Sequence, residues 1–357
     1  MEITFLGTAS ANPTPSRGVS STVFKHEGKC WMFDCGEGTQ IQLMRSQLKA
    51  ARITKIFITH LHGDHLFGLP GLMCTISQGF SEPSKETVMM LYGPVGLRKY
   101  VRVNLHLSRS ELSYSYVVHE LVSPDEELPH DWETWHPDHD AQCDPHHPNE
   151  MHDGTNIRTD EQGRWKVTED DNFVVWAAPL QHRIPCFGYV IHQKPVPGKL
   201  DVALLQSKGI PPGPIYGQLK SGKTVTCNGI TIKPEEVVGP PRPGKKIVIL
   251  GDTMDSSKMA AIATDADIMI HEATLEDEMT EVCVSRGHST PSMAGEFARS
   301  LNIKQLVLTH FSQRYKTLSQ ECEEGEVSVS KLVEQAKTAF QSDNVIAAQD
   351  FLIVKVT

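Results

Sequence analysis

The sequence contains no run of 18 apolar residues, the length that a membrane-spanning helix requires, so no membrane span is expected. Residues 1–7 lack the basic and apolar regions of a secretory signal peptide and are expected to form a first strand. The eight cysteines are scattered, and no two form a CxxC pair. Dispersed thiols without a targeting signal indicate a reducing setting, the cytosol or the nucleus.

The net charge of −10 is unevenly distributed along the 357 residues. Residues 123–172 hold fifteen acidic and three basic residues, are rich in Pro and His, and are expected to form an acidic, mobile surface insertion. Its histidines could bind metal, although solvated disorder is the favoured interpretation. Residues 194–246 hold nine basic and three acidic residues. An evenly spread negative charge would argue against a nucleic-acid partner, and this basic segment removes that objection.

Short β-branched and apolar runs alternate with helix-compatible stretches along most of the chain, which predicts an α/β protein with two or more sheets. The length suffices for one large domain or two smaller ones. Residues 194–245 break this pattern because they are crowded with Pro and Gly. We expect them to form a protruding arm with a little structure of its own, and we call this segment the basic arm.

Four potential metal ligands fall within six positions: His60, His62, Asp64 and His65. The apolar run KIFIT before them predicts a strand that leads into a turn at Gly63. Neutral imidazole and carboxylate form the ligand set expected for Zn²⁺. Four ligands would crowd one tetrahedral ion, and two ions that share a bridging group relieve that crowding. The alternative, a surface loop with three histidines, does not account for this density at a strand end.

Three more candidates follow apolar runs, where strands would present them at a sheet edge. They are His182 after FVVWAAPLQ, Asp252 after KIVILG and His310 after KQLVLT. Each could be an ordinary residue by itself, but the recurrence favours a metal site. Asp252 suits a bridge because each carboxylate oxygen can reach one ion, and Asp64 could also act as a general base.

These motifs together resemble the metallo-β-lactamase superfamily, and within it the short-form (ElaC-type) tRNase Z family. The likeness spans nearly the whole chain through FLGTASANPTPSRG, WMFDCGEGTQIQLMRS, HRIPCFGYVI, GIPPGPIYGQLKSGKTV, IMIHEATLED, GHSTPSMAGEFA and LTHFSQRY. The resemblance implies a single domain over residues 1–357. Its fold would be an αβ/βα sandwich of two mixed sheets flanked by helices, from which the arm protrudes.

The resemblance also implies two Zn²⁺ ions per subunit. Residues matching one zinc's ligands are His60, His62 and His182, those matching the other's are Asp64, His65 and His310, and Asp252 matches the bridge.

His288 resembles the family histidine near the scissile phosphate, and Glu272 could orient it. The pair His271–Glu272 could equally be structural.

The family activity is an endonucleolytic cut near the discriminator base of precursor tRNA, which leaves a tRNA 3′-OH and a trailer with a 5′-phosphate. In the family, the arm of one subunit of a homodimer grips tRNA for the partner's active site, so tRNA and a second subunit are the implied partners. A solvated loop is the alternative interpretation of the arm. The basic residues expected to contact tRNA phosphates are Lys199, Lys208, Lys220, Lys223, Arg242, Lys245 and Lys246.

One stretch departs from the family pattern. Many bacterial relatives carry a PxKxRN loop after the first strand, and here Pro15 replaces the Lys and Gly18 replaces the Asn. That loop is linked with sensing the CCA end, so rejection of CCA-ended tRNA is not implied. Trimming of damaged tRNA 3′ ends therefore stands beside precursor processing.

Two other classes of function compete with this interpretation. A small-molecule phosphodiesterase or other ester hydrolase on the same fold predicts no basic arm. A noncatalytic RNA-binding protein predicts lost ligands, whereas all seven candidates are present.

Overall fold

The computed structural model describes residues 1–79, 84–129, 131–132, 146–152, 154–227 and 229–356, without the side chains of residues 84–86. His130, His136 and His139 of the predicted insertion lie outside the described residues. The chain divides into two compact units. The first comprises Met1–Thr168, Val175–Ile191 and Lys246–Thr357, and the second comprises Glu169–Val174 and His192–Lys245.

The strands, in chain order, are β1 (Glu2–Gly7), β2 (Ser21–His26), β3 (Lys29–Phe33), β4 (Ile53–Phe57), β5 (Ser84–Pro94), β6 (Tyr114–Leu121), β7 (Asn156–Ile157), β8 (Trp165–Glu169), β9 (Phe173–Leu180), β10 (Cys186–Gln193), β11 (Val225–Cys227), β12 (Ile230–Ile232), β13 (Lys246–Ile249), β14 (Ile268–Glu272), β15 (Leu306–Thr309), β16 (Tyr315–Lys316), β17 (Val327–Ser328), β18 (Val345–Ala347) and β19 (Ile353–Lys355).

The α-helices are α1 (Thr39–Arg45), α2 (Gly63–Leu66), α3 (Leu69–Gln78), α4 (Leu97–Leu107), α5 (Val202–Ser207), α6 (Pro214–Lys220), α7 (Pro234–Val237), α8 (Ala260–Ala263), α9 (Thr280–Ser285), α10 (Pro291–Ser300) and α11 (Val329–Phe340). Short 3-10 turns lie at Ala50–Arg52, Asp125–Glu127, Ser257–Met259 and Asp277–Met279. No helix in the described part of the chain is both long and apolar enough to cross a membrane.

Two mixed sheets form the first unit. The first sheet has the order β19-β1-β2-β3-β4-β5-β6-β7, antiparallel from β19 to β3 and parallel from β3 onward. The second has the order β18-β15-β14-β13-β10-β9-β8, in which β13, β14, β15 and β18 run parallel. Parallel neighbours bring their carboxyl ends to the same edge, where functional side chains can meet.

Side-chain alternation along the strands determines how the sheets pack. In β4, Ile56 belongs to the buried cluster that includes Leu72 of α3, whereas the ring of Phe57 lies 5.4 Å from that of Tyr189 in β10. In the second sheet, Met269 packs with Leu332 of α11. The inner faces of the sheets therefore meet while helices cover the outer faces, and the predicted sandwich of two mixed sheets flanked by helices is confirmed.

Residues 123–172, which were predicted to form a surface insertion, also contribute one strand to each sheet, β7 and β8. Trp165 of β8 is completely buried. Glu150 is also buried, where Arg102 donates to its two carboxylate oxygens at 2.5 and 2.9 Å. An acidic stretch can thus contribute to the interior where each charge has a partner. The mobility of the insertion stays a prediction.

The second unit has a small apolar core of its own. Its buried side chains come from α5, α6, α7, β12 and the turn after α5: Leu205, Ile210, Leu219, Ile232 and Val237. Asp201 caps α5 by accepting a hydrogen bond from the Leu204 N–H at 2.9 Å. Its protrusion as an arm stays a prediction.

Candidate metal centre

Each predicted metal ligand follows a strand closely. His60 and His62 lie in the short turn between β4 and α2, and Asp64 and His65 lie in α2. Gly36 allows this arrangement, since a Cβ at that position would lie 2.1 Å from the carbonyl oxygen of Asp64.

His182, Asp252 and His310 follow β9, β13 and β15. The structure brings all seven candidates together in two groups, within each of which the ligand atoms lie within 4.8 Å of one another. One group is His60, His62, His182 and Asp252, and the other is Asp64, His65, Asp252 and His310.

Asp252 connects the two groups through different oxygens. Its Oδ2 lies 3.7 Å from His60 Nε2, while its Oδ1 lies 3.3 Å from both His65 Nε2 and His310 Nε2. The neighbouring imidazoles outweigh the effect of burial and hold the pKa of Asp252 well below its ordinary value. This is the arrangement expected of a carboxylate that reaches one ion with each oxygen.

Hydrogen bonds behind the cluster determine which nitrogen of each histidine carries the proton. Thr59 Oγ1 donates to Asp34 at 2.8 Å and therefore accepts from His60 Nδ1 at 3.0 Å. His65 Nδ1 donates to the same Asp34 carboxylate at 2.7 Å. With protons on Nδ1, both rings direct Nε2 into the cluster, where it can bind a cation when the ring is neutral. Burial by itself lowers the pKa of His65, but the carboxylates around the ring outweigh it and raise that pKa well above its ordinary value, so a bound cation would have to displace this proton.

The same logic applies to the ligands from the second sheet. His182 Nδ1 donates to the Gly287 carbonyl oxygen at 2.8 Å. Thr274 Oγ1 donates to an acceptor, Glu272 or the His310 carbonyl, and so accepts from His310 Nδ1 at 2.9 Å. Both rings therefore also present Nε2 lone pairs to the cluster.

Lone pairs that converge in a buried space need a cation between them. His65 Nε2 and His310 Nε2 lie 3.3 Å apart, and His182 Nε2 lies 3.2 Å from His62 Nδ1. His60 Nε2 is buried without a hydrogen-bond partner among the described residues. Burial lowers the pKa of His60, and that of His62 to about 4, which keeps these rings neutral. The donor set fits divalent zinc.

Glu272 and His288 form a pair beside the cluster. Glu272 Oε1 lies 3.2 Å from His288 Nδ1 and accepts the Thr253 N–H at 2.6 Å. His288 Nδ1 is also 3.8 Å from Asp252 Oδ2. Burial by itself lowers the pKa of His288, but Glu272 outweighs it and raises that pKa to about 9.

His271 does not share this location, because successive residues of a strand point to opposite faces. Its Nε2 lies 2.9 Å from Ser256 Oγ, and its Nδ1 donates to the Glu272 carbonyl oxygen at 2.8 Å. Of the two neighbours, only Glu272 is placed beside His288.

Asp34 is a functional candidate that the sequence analysis did not identify. It follows β3 and adopts a left-handed backbone, with φ 60°. Its carboxylate accepts hydrogen bonds from His65 Nδ1 and from the Thr59 N–H, both at 2.7 Å. The sequence does contain a signal for Asp34, because this residue follows an apolar strand directly, and the predicted metal ligands also follow apolar strands.

Asp34→Asn should weaken zinc binding by about 10- to 100-fold, because a carboxamide cannot accept from all three donors around position 34. Asn tolerates the left-handed backbone as Asp does, so the substitution tests the carboxylate and not the fold. Zinc affinity measured against a competing chelator is the readout. Asp265→Asn is the matched control, since Asp265 also has a left-handed backbone (φ 58°) and accepts from Asn302 Nδ2 at 2.7 Å. Equal zinc affinity in wild type and Asp34→Asn would contradict this role.

A pocket of about 760 Å³ lies beside His62 and His182. Its walls include Glu127 and Lys258, which form an ion pair, and Arg183. This volume falls within the range of about 300–1,000 Å³ that ligand-binding pockets occupy.

The predicted tRNA-binding residues belong to the second unit, except Lys246. Lys199, Lys220, Lys223 and Arg242 are exposed, Lys245 is half-buried, and Lys208 pairs with Glu236 at 2.8 Å. Lys246 begins β13, and its Nζ donates to the Thr264 carbonyl oxygen at 2.7 Å. The exposed Lys233 of the second unit was not among the predicted residues.

Comparison with known sequences gives full-length matches. Zinc phosphodiesterase ELAC protein 1 of Homo sapiens and that of Bos taurus are each 47% identical over 361 residues, covering 100% of this chain and 98% of the relative. Ribonuclease BN of Cronobacter sakazakii is 38% identical over 360 residues, covering 100% of both chains. A family model described as anti-Pycsar protein Apyc1 matches residues 1–99.

Solved structures agree with these relatives. The crystal structure of human tRNase Z, short form (ELAC1), covers 100% of both chains with a TM-score of 0.69 and 38% identity. The metallo-β-lactamase fold protein YhfI from Bacillus subtilis, at a TM-score of 0.57 and 14% identity, covers 99% of this chain and 98% of its own, and supports the fold alone. With this full-length identity, the chain belongs to the short-form tRNase Z (ELAC protein 1) family of the metallo-β-lactamase fold.

Proposed function

We propose that this protein is a zinc-dependent endoribonuclease that removes 3′ trailers from precursor tRNA or trims damaged tRNA 3′ ends. The observation that carries the proposal is the convergence of all seven ligand side chains into two groups that share Asp252. It is supported by full-length relatives named zinc phosphodiesterase and ribonuclease BN.

We infer two zinc ions per subunit. His60, His62 and His182 would hold one, and Asp64, His65 and His310 would hold the other, with Asp252 between them. When bound, such a pair supplies Lewis acidity at neutral pH for an in-line displacement at phosphorus.

The protein's own groups then move the protons. Asp64 orients the attacking water and accepts its proton while the water oxygen forms a bond to phosphorus. As the bond from phosphorus to the ribose 3′ oxygen breaks, His288 donates a proton to that oxygen. Glu272, 3.2 Å from His288 Nδ1, orients the ring for this transfer. The products are a tRNA with a 3′-OH and a trailer with a 5′-phosphate.

The basic arm is proposed to hold the tRNA. Its exposed Lys199, Lys220, Lys223 and Arg242 can neutralise phosphates along an A-form stem, which proteins recognise by backbone and shape.

A homodimer is proposed in which each arm serves the other subunit. Apolar side chains on α1 and after α2 support a second copy as partner: Ile41, Met44 and Phe67 are 58, 65 and 63% exposed.

A cytosolic or nuclear setting is proposed because the seven described cysteines are free thiols.

Cleavage of a 3′-extended tRNA by purified, zinc-loaded protein tests the proposed function. We expect a cut near the discriminator base that leaves a 3′-OH. CCA-ended and cyclic-phosphate-ended tRNA, run in parallel, separate precursor processing from end repair, since Pro15 and Gly18 replace the Lys and Asn of the family loop. If the extended tRNA stayed intact while a small phosphodiester or lactone was hydrolysed rapidly, a small-molecule hydrolase would be the better assignment.

A further inference from the structure

The loop after β1, residues 8–18, contacts the catalytic carboxylate through its backbone. The Ala11 N–H donates to Asp64 Oδ2 at 2.7 Å, and this oxygen also lies 3.3 Å from His310 Nε2. Ala11 has a left-handed backbone, with φ 62°, which a residue with a Cβ seldom adopts. Such a conformation persists only where surrounding contacts impose it.

The base of this loop is closed by Asp350, a half-buried residue after β18. Its Oδ2 accepts the Gly18 N–H and Gln42 Nε2, both at 2.6 Å, and its Oδ1 accepts the Thr8 hydroxyl at 2.9 Å. The Gly18 carbonyl oxygen accepts the N–H groups of Thr8 and Ala9 at 2.9 Å. Both ends of the loop are thus tied to one carboxylate.

The tip of the loop is held from the opposite direction by the segment after His310. Gln313 Nε2 donates to the carbonyl oxygens of Ser10 and Asn12, one on each side of Ala11. The Ser10 N–H donates to the Phe311 carbonyl oxygen at 3.0 Å. With its base closed by Asp350 and its tip held here, the loop has little freedom to move the Ala11 N–H.

We propose that Asp350 is a positioning residue for the reaction: it holds residues 8–18 so that the Ala11 N–H fixes the rotation of the Asp64 carboxylate. The inference rests on the proposed function for the role of Asp64. It predicts that loss of Asp350 impairs the chemical step more than substrate binding, because a small misplacement of a reacting group lowers the rate steeply.

Asp350→Ala tests the proposal in the zinc-loaded enzyme. We expect kcat for bis-p-nitrophenyl phosphate to fall about 10- to 100-fold while KM stays within about threefold. Bound zinc should remain unchanged, and hydrogen exchange should accelerate at least about tenfold in the peptide covering residues 8–18 and not in α10.

Asp350→Asn is the conservative variant. Its remaining oxygen can accept from Gly18 and Gln42, and its amide can donate to the Thr8 hydroxyl, so kcat should stay within about threefold of wild type. Asp277→Ala is the matched control, because Asp277 is half-buried and accepts two hydrogen bonds from Ser292 but lies outside the loop. We expect this variant to leave kcat unchanged.

The proposal is overturned if Asp350→Ala retains kcat, if its zinc is lost, or if Asp350→Asn is impaired equally. Failure of the wild type to cut 3′-extended tRNA would instead count against the proposed function. The exchange and bis-p-nitrophenyl phosphate measurements would still decide the role of Asp350.

Discussion

Asp252→Ala should abolish hydrolysis of both precursor tRNA and bis-p-nitrophenyl phosphate, by at least about a thousandfold, equivalent to about 4 kcal/mol of transition-state stabilisation. The effect is expected to be this large because Asp252 belongs to both ligand groups. Its removal deprives each group of its shared oxygen donor and leaves five imidazoles with Asp64 as the one remaining carboxylate to balance the charge of bound cations. Bound zinc should fall below two ions per subunit.

Asp267→Ala is the control for this variant. Asp267 lies directly before β14, at the opposite end of the same parallel strands, where it accepts the Lys246 N–H at 2.9 Å. Activity and bound zinc are measured for both variants. If only Asp252→Ala loses them, the effect comes from the metal centre and not from removing a carboxylate at the edge of the sheet. Full activity in Asp252→Ala would contradict the two-metal assignment.

Deletion of residues 200–240 should reduce kcat/KM for precursor tRNA at least about a hundredfold while hydrolysis of bis-p-nitrophenyl phosphate stays within about twofold. The deleted segment carries the second unit's core and four lysines, Lys208, Lys220, Lys223 and Lys233. At about 0.7–0.9 per phosphate contact, the slope of log affinity against log salt should become shallower by about 3.

The structure indicates where to make the deletion. Val196 and Arg242, which flank the deleted segment, exchange two backbone hydrogen bonds at 3.0 and 2.9 Å, so the cut ends lie near each other and a short glycine linker can join them. Binding measured across a salt series and the two hydrolysis assays are the readouts. Unchanged tRNA cleavage after deletion would refute the role of the basic arm.

Mixing the two inactive proteins tests whether the arm acts on the partner subunit. A mixed dimer pairs an intact arm on the Asp252→Ala subunit with an intact centre on the arm-deleted subunit. Cleavage of precursor tRNA should therefore return on mixing and subunit exchange. If no activity returned although subunits exchanged, each arm would serve its own active site.

The ligands could be predicted from the sequence because each is a polar residue at the end of an apolar strand. HLHGDH and the residues at 182, 252 and 310 stand out for that reason, and parallel strands bring such ends to one edge. The fold class could be predicted from the same alternation of apolar runs and helical stretches, and the family motifs extended it to the sandwich that the structure has.

The tertiary structure alone decided how those ligands are held. Asp34 and Thr274 set the proton positions of His65 and His310 through contacts between residues that follow different strands. Asp34 also accepts from the Thr59 hydroxyl, which then accepts from the adjacent His60. No local pattern marks such partners, because their distance depends on how the sheets pack. Strand alternation places His271 and Glu272 on opposite faces of β14, and packing around that strand decided that Glu272 is the one beside His288.

The reach of Asp350 to Gly18, across 332 sequence positions, is of the same kind. The sequence by itself therefore determined which side chains supply the chemistry. Tertiary packing decided their proton positions, their supporting partners and the loop that holds Asp64, because those depend on distances between segments far apart in the chain.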